Sequence, residues 1–273
     1  MSLDLNEVVR LLAAGNIPSP RLEARILLEH IGGSPFAEVD GEAEQKLRRL
    51  VERRLVHVPL DKLLGRREFY KNDFIVSEDV LTPRPDTEIL VEAAVGLVRR
   101  NGLKRILDLG TGSGCIIVSI VHNVPEVEGT ATDISKQALL VAKENAKLNQ
   151  VSVTFERSDL FDNVTGTYDV IVSNPPYIRT GEVVKLMPEV QEFEPMEALD
   201  GKEDGLYFYR KIIKECKAYL KPGGHILFEI GYDQGEAVSG LLKEAGFKNV
   251  TVIKDLAHND RVVTGMEDIC LIN

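Results

Sequence analysis

Apolar residues recur at three- and four-residue spacing through the first quarter of the chain. Leu5, Val8, Val9, Leu11 and Leu12 form one stripe, Leu22, Ile26, Leu27 and His30 a second, and Leu47, Leu50, Val51 and Leu55 a third. This spacing predicts amphipathic helices, separated at Gly32-Gly33-Ser34-Pro35 and at Asp40-Gly41. The period changes at Glu68. Aromatic and branched residues then flank the polar turn Lys71-Asn72-Asp73, which predicts a hairpin over 68–81. From there short branched runs at 105–109, 129–132, 151–155, 168–173, 225–230, 250–253 and 268–272 read as strands. They alternate with helical patterns at 89–98, 115–122, 135–149, 209–220 and 236–245. Strands alternating with helices predict an α/β fold around an open sheet. The expected organisation is a helical domain over 1–66, a hairpin linker over 67–83 and an α/β domain over 84–273.

Composition removes several alternatives. A hydrophobic fraction of 44% across 273 residues suits a soluble chain with a substantial core. The start, Met1-Ser2-Leu3-Asp4-Leu5-Asn6-Glu7, lacks a basic patch followed by an apolar run, and no signal peptide, membrane span or lipid anchor is expected. Cys115, Cys216 and Cys270 are far apart and odd in number. Reduced thiols in a cytoplasmic protein without a metal site are therefore expected. The net charge of -10 argues against stable, autonomous nucleic-acid binding, which rests on neutralising phosphates. Against that background, nine lysines and arginines face three acids between Lys46 and Lys71. A solvated helix face is the expected role, with partner docking as the alternative.

The chemistry gathers at strand ends. The run at 168–173 leads into Asn174-Pro175-Pro176-Tyr177. Both prolines fix their own φ and hold the residue before them extended, so the tip is stiff. Asn174 offers an oxygen, the proline carbonyls further acceptors and Tyr177 an aromatic plate, a suitable cradle for a planar NH2 group. Gly110-Thr111-Gly112-Ser113-Gly114 joins the strand at 105–109 to a helix, where glycines let the backbone approach a ligand. The spacing Gly-x-Gly-x-Gly departs from the dinucleotide fingerprint, which disfavours a nicotinamide dehydrogenase. Asp133 closes the next strand, placed to hold ribose hydroxyls. Asp159-Leu160-Phe161 follows the third, where an acid can accept from an adenine amine and apolar residues cover the ring. Arg84, between Pro83 and Pro85 and just ahead of a helix start, is free to face a ligand.

Asp108 to Gly114, Asp133 and Asn174-Pro175-Pro176-Tyr177 resemble the class I S-adenosylmethionine-dependent methyltransferases that act on amino-group targets. Thr82-Pro83-Arg84-Pro85-Asp86-Thr87-Glu88, Glu194-Pro195 with Ala198-Leu199, Asp204-Gly205-Leu206 with Tyr209-Arg210, and Glu229-Ile230-Gly231 are similar, more narrowly, to the N(5)-glutamine methyltransferases of peptide chain release factors. The resemblance runs from about Val58 onward. It departs at His57 and His258, where the family often has glycine.

The resemblance implies a Rossmann-like sheet of seven mostly parallel strands with one antiparallel strand, preceded by a substrate-docking helical domain. It implies that Gly110, Thr111, Gly112, Ser113, Gly114, Asp133, Asp159, Leu160 and Asn174 contact S-adenosyl-L-methionine. It also implies that Asn174, Pro175, Pro176 and Tyr177 hold the glutamine of a Gly-Gly-Gln motif in class I release factors, with Asn174, Pro175 and Tyr177 carrying the chemistry and Arg84 at the pocket. Glutamine methylation of a ribosomal protein, methylation of the exocyclic amine of adenine in DNA or RNA, and a non-catalytic nucleoside-binding module are the competing readings.

Overall fold

The computed structural model describes residues 3–268. They form two units: the chain to Arg66 together with Met187–Phe193, and Arg67–Leu186 together with the chain from Glu194 onward.

The helical unit holds α1 (Leu5–Ala14), α2 (Pro20–Gly32), α3 (Gly41–Leu55) and α4 (Leu60–Leu64). Asp4 caps α1 by accepting from Glu7 N at 2.8 Å, and Pro20 opens α2 where a missing N–H costs nothing. Val8, Leu12, Ala24, Leu27, Leu28, Leu47 and Val51 meet in the core. The inward face of α2 differs from the expected stripe. Leu22 is 58% exposed and His30 is exposed, while Ala24 and Leu28 turn inward. Leu22 stands two residues before Ala24, about 200° round the helix, so the two cannot share a face.

Part of the basic stretch is paired inside this unit. Lys46 pairs with Glu42 and Arg48 with Glu44 along α3, Lys62 Nζ donates to Phe193 O, and the buried Arg54 guanidinium holds Glu23 at 2.5 Å and Glu189 at 2.7 Å. His57 adopts φ +64, and His258 in the other unit adopts φ +65. Both departures from the family thus sit in left-handed backbone, the conformation that favours glycine.

In the α/β unit, β1 (Arg66–Phe69) and β2 (Asn72–Ile75) form the hairpin. Tyr70 and Lys71 both take positive φ at its turn, one residue earlier than expected. Phe69 and Phe74 pack edge to face at 5.8 Å inside the core of this unit. After a single 3-10 turn at Pro85–Thr87 come α5 (Glu88–Asn101), β3 (Arg105–Leu109), α6 (Cys115–Asn123), β4 (Glu128–Asp133), α7 (Lys136–Leu148), β5 (Val153–Arg157) and β6 (Tyr168–Ser173). The one-turn helices α8 (Thr180–Val183) and α9 (Pro188–Gln191) follow, the second belonging to the helical unit. Then come α10 (Tyr207–Glu215), β7 (Leu220–Glu229), α11 (Gly235–Glu244), β8 (Lys248–Lys254) and β9 (Asp260–Met266).

The sheet runs β5-β4-β3-β6-β7-β9-β8. Five neighbouring strands are parallel, and β9 is antiparallel to both β7 and β8. Ile106, Ile117, Val170 and Val172 fill one side, Leu107, Ile171, Ile226 and Phe228 the other. Burial on both faces explains why these strands read as continuous apolar runs.

One expectation fails near the end. The stretch between the expected strands at 250–253 and 268–272, a loop by the sequence reading and home to His258 and Arg261, contains β9 over Asp260–Met266, with Val262, Val263 and Arg261 buried. The expected strand at 268–272 lies, apart from Asp268, outside the described residues. Polar Asn259-Asp260-Arg261 hid a strand whose apolar part is short. No described helix is long and apolar enough to cross a membrane, and Cys115 and Cys216 are buried free thiols.

Candidate active site

Because β5, β4, β3 and β6 are neighbours and parallel, their carboxyl ends lie on one edge of the sheet. The strand order reverses between β3 and β6, and open α/β sheets bind ligands at such a point. Gly110 to Gly114 follow β3, Asp133 ends β4, Asp159 and Leu160 follow β5, and Asn174 to Tyr177 follow β6. The structure therefore brings the expected cofactor and substrate residues of four strands to a single edge.

The glycine turn is anchored mainly to the ends of β3 and β4. Gly110, Gly112 and Gly114 take φ of +70, +55 and +81. A Cβ on Gly110 or Gly112 would meet nothing within 4 Å, leaving room for close approach, whereas one on Gly114 would stand 3.0 Å from the Ala142 methyl. Thr111 N donates to Thr132 O at 2.9 Å and Thr111 Oγ1 to Asp108 Oδ2 at 2.7 Å. Burial lifts the Asp108 carboxyl to about 7 despite the Thr111 hydroxyl.

Asp133 accepts from Gly112 N and Ser135 N, both at 2.8 Å, one on each oxygen. Each oxygen keeps acceptor capacity, so the carboxylate can also take two hydroxyls. Burial raises its pKa, opposed by those backbone donors. Ser158 N donates to Asp133 O at 3.0 Å, which draws the β5 loop against β4. There Asp159 is exposed and Leu160 takes φ +47, an uncommon conformation for a non-glycine residue. An acid with spare acceptor capacity, a turn open at Gly110 and Gly112, and a half-buried leucine fit an adenosine-containing ligand. A groove of about 570 Å³ on the Thr130, Thr132 and Thr154 face of the sheet contains none of these residues.

The Asn174-Pro175-Pro176-Tyr177 tip is held by partners from distant sequence. Ser173 Oγ donates to Leu109 O at 2.8 Å and ties the end of β6 to that of β3. Asn174 Nδ2 donates to Thr87 Oγ1 at 3.4 Å, and the Tyr177 hydroxyl donates to Glu229 Oε1 at 3.3 Å. Burial and the nearby Glu229 charge push the Tyr177 phenol up. Gln234 Nε2 donates to Tyr177 O at 3.0 Å and to Gly205 O at 3.3 Å. Ile178 N donates to Leu199 O, and Gly201 N to Ile178 O. A Cβ on Gly201 would stand 2.7 Å from the Tyr177 backbone, and one on Gly205 would strike Tyr177 O. The connection after the tip, irregular in sequence, thus folds its Leu199 to Gly205 end against the tip. No protein donor meets Pro175 O among the described residues.

Arg84 is not free: Nη2 donates to the buried Glu194 at 3.0 Å, and Glu194 also accepts from Thr82 N at 3.2 Å. Its side chain nevertheless stays 41% exposed. Sequence reasoning missed Thr87, Gln234, Gly201 and Gly205 as supports of the tip. Thr87 lay inside the 82–88 motif, while the two glycines stand at the end of the long connection after the tip, of a kind that is usually functional.

The sheet order and glycine turn define a class I methyltransferase fold. The Methyltransferase small domain family matches residues 85–191, and the PrmC N-terminal domain family matches residues 5–65. A release factor glutamine methyltransferase of Agrobacterium fabrum is 38% identical over 97% of this chain and 96% of its own length. One from Thermodesulfovibrio yellowstonii is 43% identical over 83% and 82%. In fold the chain resembles the hMettl16 catalytic domain, solved in complex with MAT2A 3′UTR hairpin 6, with TM-score 0.60 and 17% identity over 77% of this chain and 80% of that one. The chain belongs to the release factor glutamine methyltransferase family.

Proposed function

We propose that this enzyme transfers a methyl group from S-adenosyl-L-methionine to the side-chain amide nitrogen of glutamine in the Gly-Gly-Gln motif of class I peptide chain release factors. The observation that carries this is the polarity of the tip. Asn174 turns its NH2 toward Thr87, which leaves its oxygen, with Pro175 O, as acceptors beside the Tyr177 ring.

Asp133 would hold the cofactor ribose, Gly110 to Gly114 would border it, and Asp159 with Leu160 would take the adenine. The bound cofactor supplies an electrophilic sulfonium methyl. The protein's task is then positioning, because an amide nitrogen is a weak nucleophile whose lone pair is delocalised into its carbonyl. Accepting both amide hydrogens on Asn174 Oδ1 and Pro175 O orients the nitrogen and favours the positive charge that develops on it. Tyr177 and Pro176 confine the amide plane, and the surplus proton leaves to water. Arg84, half-exposed beside this edge, would contact the substrate polypeptide. The substrate class implies a cytoplasmic reaction and needs neither membrane nor stable nucleic-acid contact.

The test is transfer of labelled methyl to a purified release factor, beside the same factor with the motif glutamine changed to alanine. Ribosomal protein and adenine-containing DNA and RNA serve as alternative acceptors. Label that appears on the factor and disappears with the glutamine change is the expected result. Label only on another acceptor would overturn the substrate assignment.

A further inference from the structure

Asn145 stands in the second half of α7, and its side chain is fully buried. Its oxygen accepts from Ile75 N at 2.6 Å. Its Nδ2 donates to Ile75 O at 3.0 Å and to Ser113 O at 2.9 Å. An amide nitrogen carries two hydrogens, so both are committed, and one side chain spans strand β2 of the hairpin and the glycine turn. By taking the N–H and the C=O of one residue, it pairs with β2 as the peptide of a further strand would.

The rest of α7 repeats this double contact along its length. Asn149 donates to Asp73 O at 2.8 Å, and Val80, just beyond the hairpin, packs on Ala138 and Val141. Positions 138, 141, 145 and 149 are three and four apart, so the chain from Asp73 to Val80 follows one stripe of the helix. Toward the turn, Ala142 lies under Gly114, and Ser135, the N-cap of α7, donates its N–H to Asp133.

The turn has need of such a brace. Gly112 and Gly114 take positive φ, and glycine passes between backbone conformations with little steric resistance. The peptide between Ser113 and Gly114 is held at both ends, since Gly114 N donates to Thr111 O at 2.8 Å and Ser113 O accepts from Asn145. Without Asn145 its carbonyl end is released.

We infer that Asn145 is a positioning residue for the cofactor, which sets the Ser113–Gly114 peptide and couples the turn to β2; the inference rests on the S-adenosyl-L-methionine reading proposed above. A cofactor seated against the turn steadies Ser113 O, and Asn145 carries that order to Ile75. The coupling is reciprocal, so releasing Asn145 weakens cofactor binding.

Solvent exchange of the Ile75 N–H, followed by NMR, reads the coupling directly because that hydrogen is bonded to Asn145. In the parent, saturating S-adenosyl-L-homocysteine should slow it about tenfold. Asn145→Ala should abolish this response and raise the cofactor Kd about tenfold, with a smaller effect on kcat at saturating cofactor. Asn149→Ala is the control: it frees Asp73 O from the same helix and should keep the parent Kd and the Ile75 response. The parent measurement decides the matter even if the Asn145 variant does not fold. Unchanged Ile75 exchange in a parent that binds the ligand would overturn the coupling and leave the cofactor reading intact. A parent-like Kd in Asn145→Ala, or a Kd raised as far in Asn149→Ala, would overturn the positioning role. A parent that binds neither S-adenosyl-L-methionine nor S-adenosyl-L-homocysteine would overturn the cofactor reading and this inference with it.

Discussion

The glycine turn and the Asn174-Pro175-Pro176-Tyr177 tip end neighbouring strands, yet they are built in opposite ways. The turn bends through positive φ at three glycines, and its main anchors come from β3 and β4. The tip is rigid along its own chain, but its orientation depends on Thr87, Glu229, Gln234 and the glycines at 201 and 205. Under the proposed function the turn borders the cofactor and the tip holds the acceptor, so the group shared across a superfamily meets a site encoded in one short stretch and the particular one a site adjustable from several directions. Lesions in the turn should therefore change cofactor affinity, and lesions around the tip should change the rate at saturating cofactor.

The largest effect is expected from Asn174→Ala. Loss of a preorganised group aimed at developing charge lowers kcat by about a hundredfold or more. Cofactor affinity should fall far less, and calorimetric titration beside single-turnover assays separates the two. A variant that simply fails to bind cofactor would erase the proposed distinction between turn and tip. Asp133→Ala is the mirror case. It removes a carboxylate that braces Gly112 N and Ser135 N and is proposed to hold ribose. Hydrogen bonds to charged groups contribute about 1.5–3 kcal/mol, so the cofactor Kd should rise roughly tenfold to a hundredfold while kcat at saturation changes little.

A smaller but more diagnostic change is Gly201→Ala. The added methyl would press on the Tyr177 backbone at 2.7 Å, where no flexible side chain can give way. Overpacking of this kind costs about 1–3 kcal/mol. Part of that cost should appear as displacement of the tip, hence a lower kcat with unchanged cofactor Kd. Gly114→Ala, at φ +81 and against Ala142, should weaken cofactor binding instead. Identical profiles for the two glycine variants would show that turn and tip move as one body.

The same contrast explains what was legible in the sequence. Gly110 to Gly114, Asp133 and the tip could be read because strand ends concentrate polar residues after apolar runs, and their alignment on one edge follows from parallel neighbours. Thr87 and Gln234 could not be assigned to the tip. Their pairing spans 87 and 57 residues of chain, and no local period encodes such a contact. Arg84 was misjudged as free because its partner Glu194 stands 110 residues away. On α2 the stripe was misread because Leu22 is apolar yet exposed, which hydrophobicity alone does not reveal. β9 was missed because a buried arginine, Arg261, occupies a strand position that polarity assigns to a loop.

Stability should carry a pH signature from the two buried carboxyls. Asp108 and Glu229 are both lifted to about 7 by burial. A carboxyl whose folded pKa is raised binds its proton more tightly when folded. Its contribution to stability is therefore lost as pH climbs from the unfolded value, near 4, to about 7, and is constant above that. Thermal melts should show Tm falling across this window. Glu229→Gln should gain on the parent as pH rises from 5 to 8. A Tm difference between Glu229→Gln and the parent that is flat with pH would mean the carboxyl titrates near its ordinary value in the folded protein.

The smallest effect is expected from Arg84→Ala, and it tests whether the edge beside the tip is part of substrate recognition. The Arg84 side chain is 41% exposed, so its pair with Glu194 resembles a surface ion pair, for which about 0–1 kcal/mol is typical. Glu194 is itself only 1% exposed at its side chain and keeps the Thr82 N contact, which limits the disturbance to the 82–87 segment. Melting temperature should therefore drop only slightly. If the exposed part of the guanidinium contacts the substrate polypeptide, KM for the release factor should rise several-fold while kcat and cofactor Kd hold. Parent-like KM and rate together with the small loss of Tm would confine Arg84 to bracing Glu194, and would leave recognition to the tip and to surfaces outside this edge.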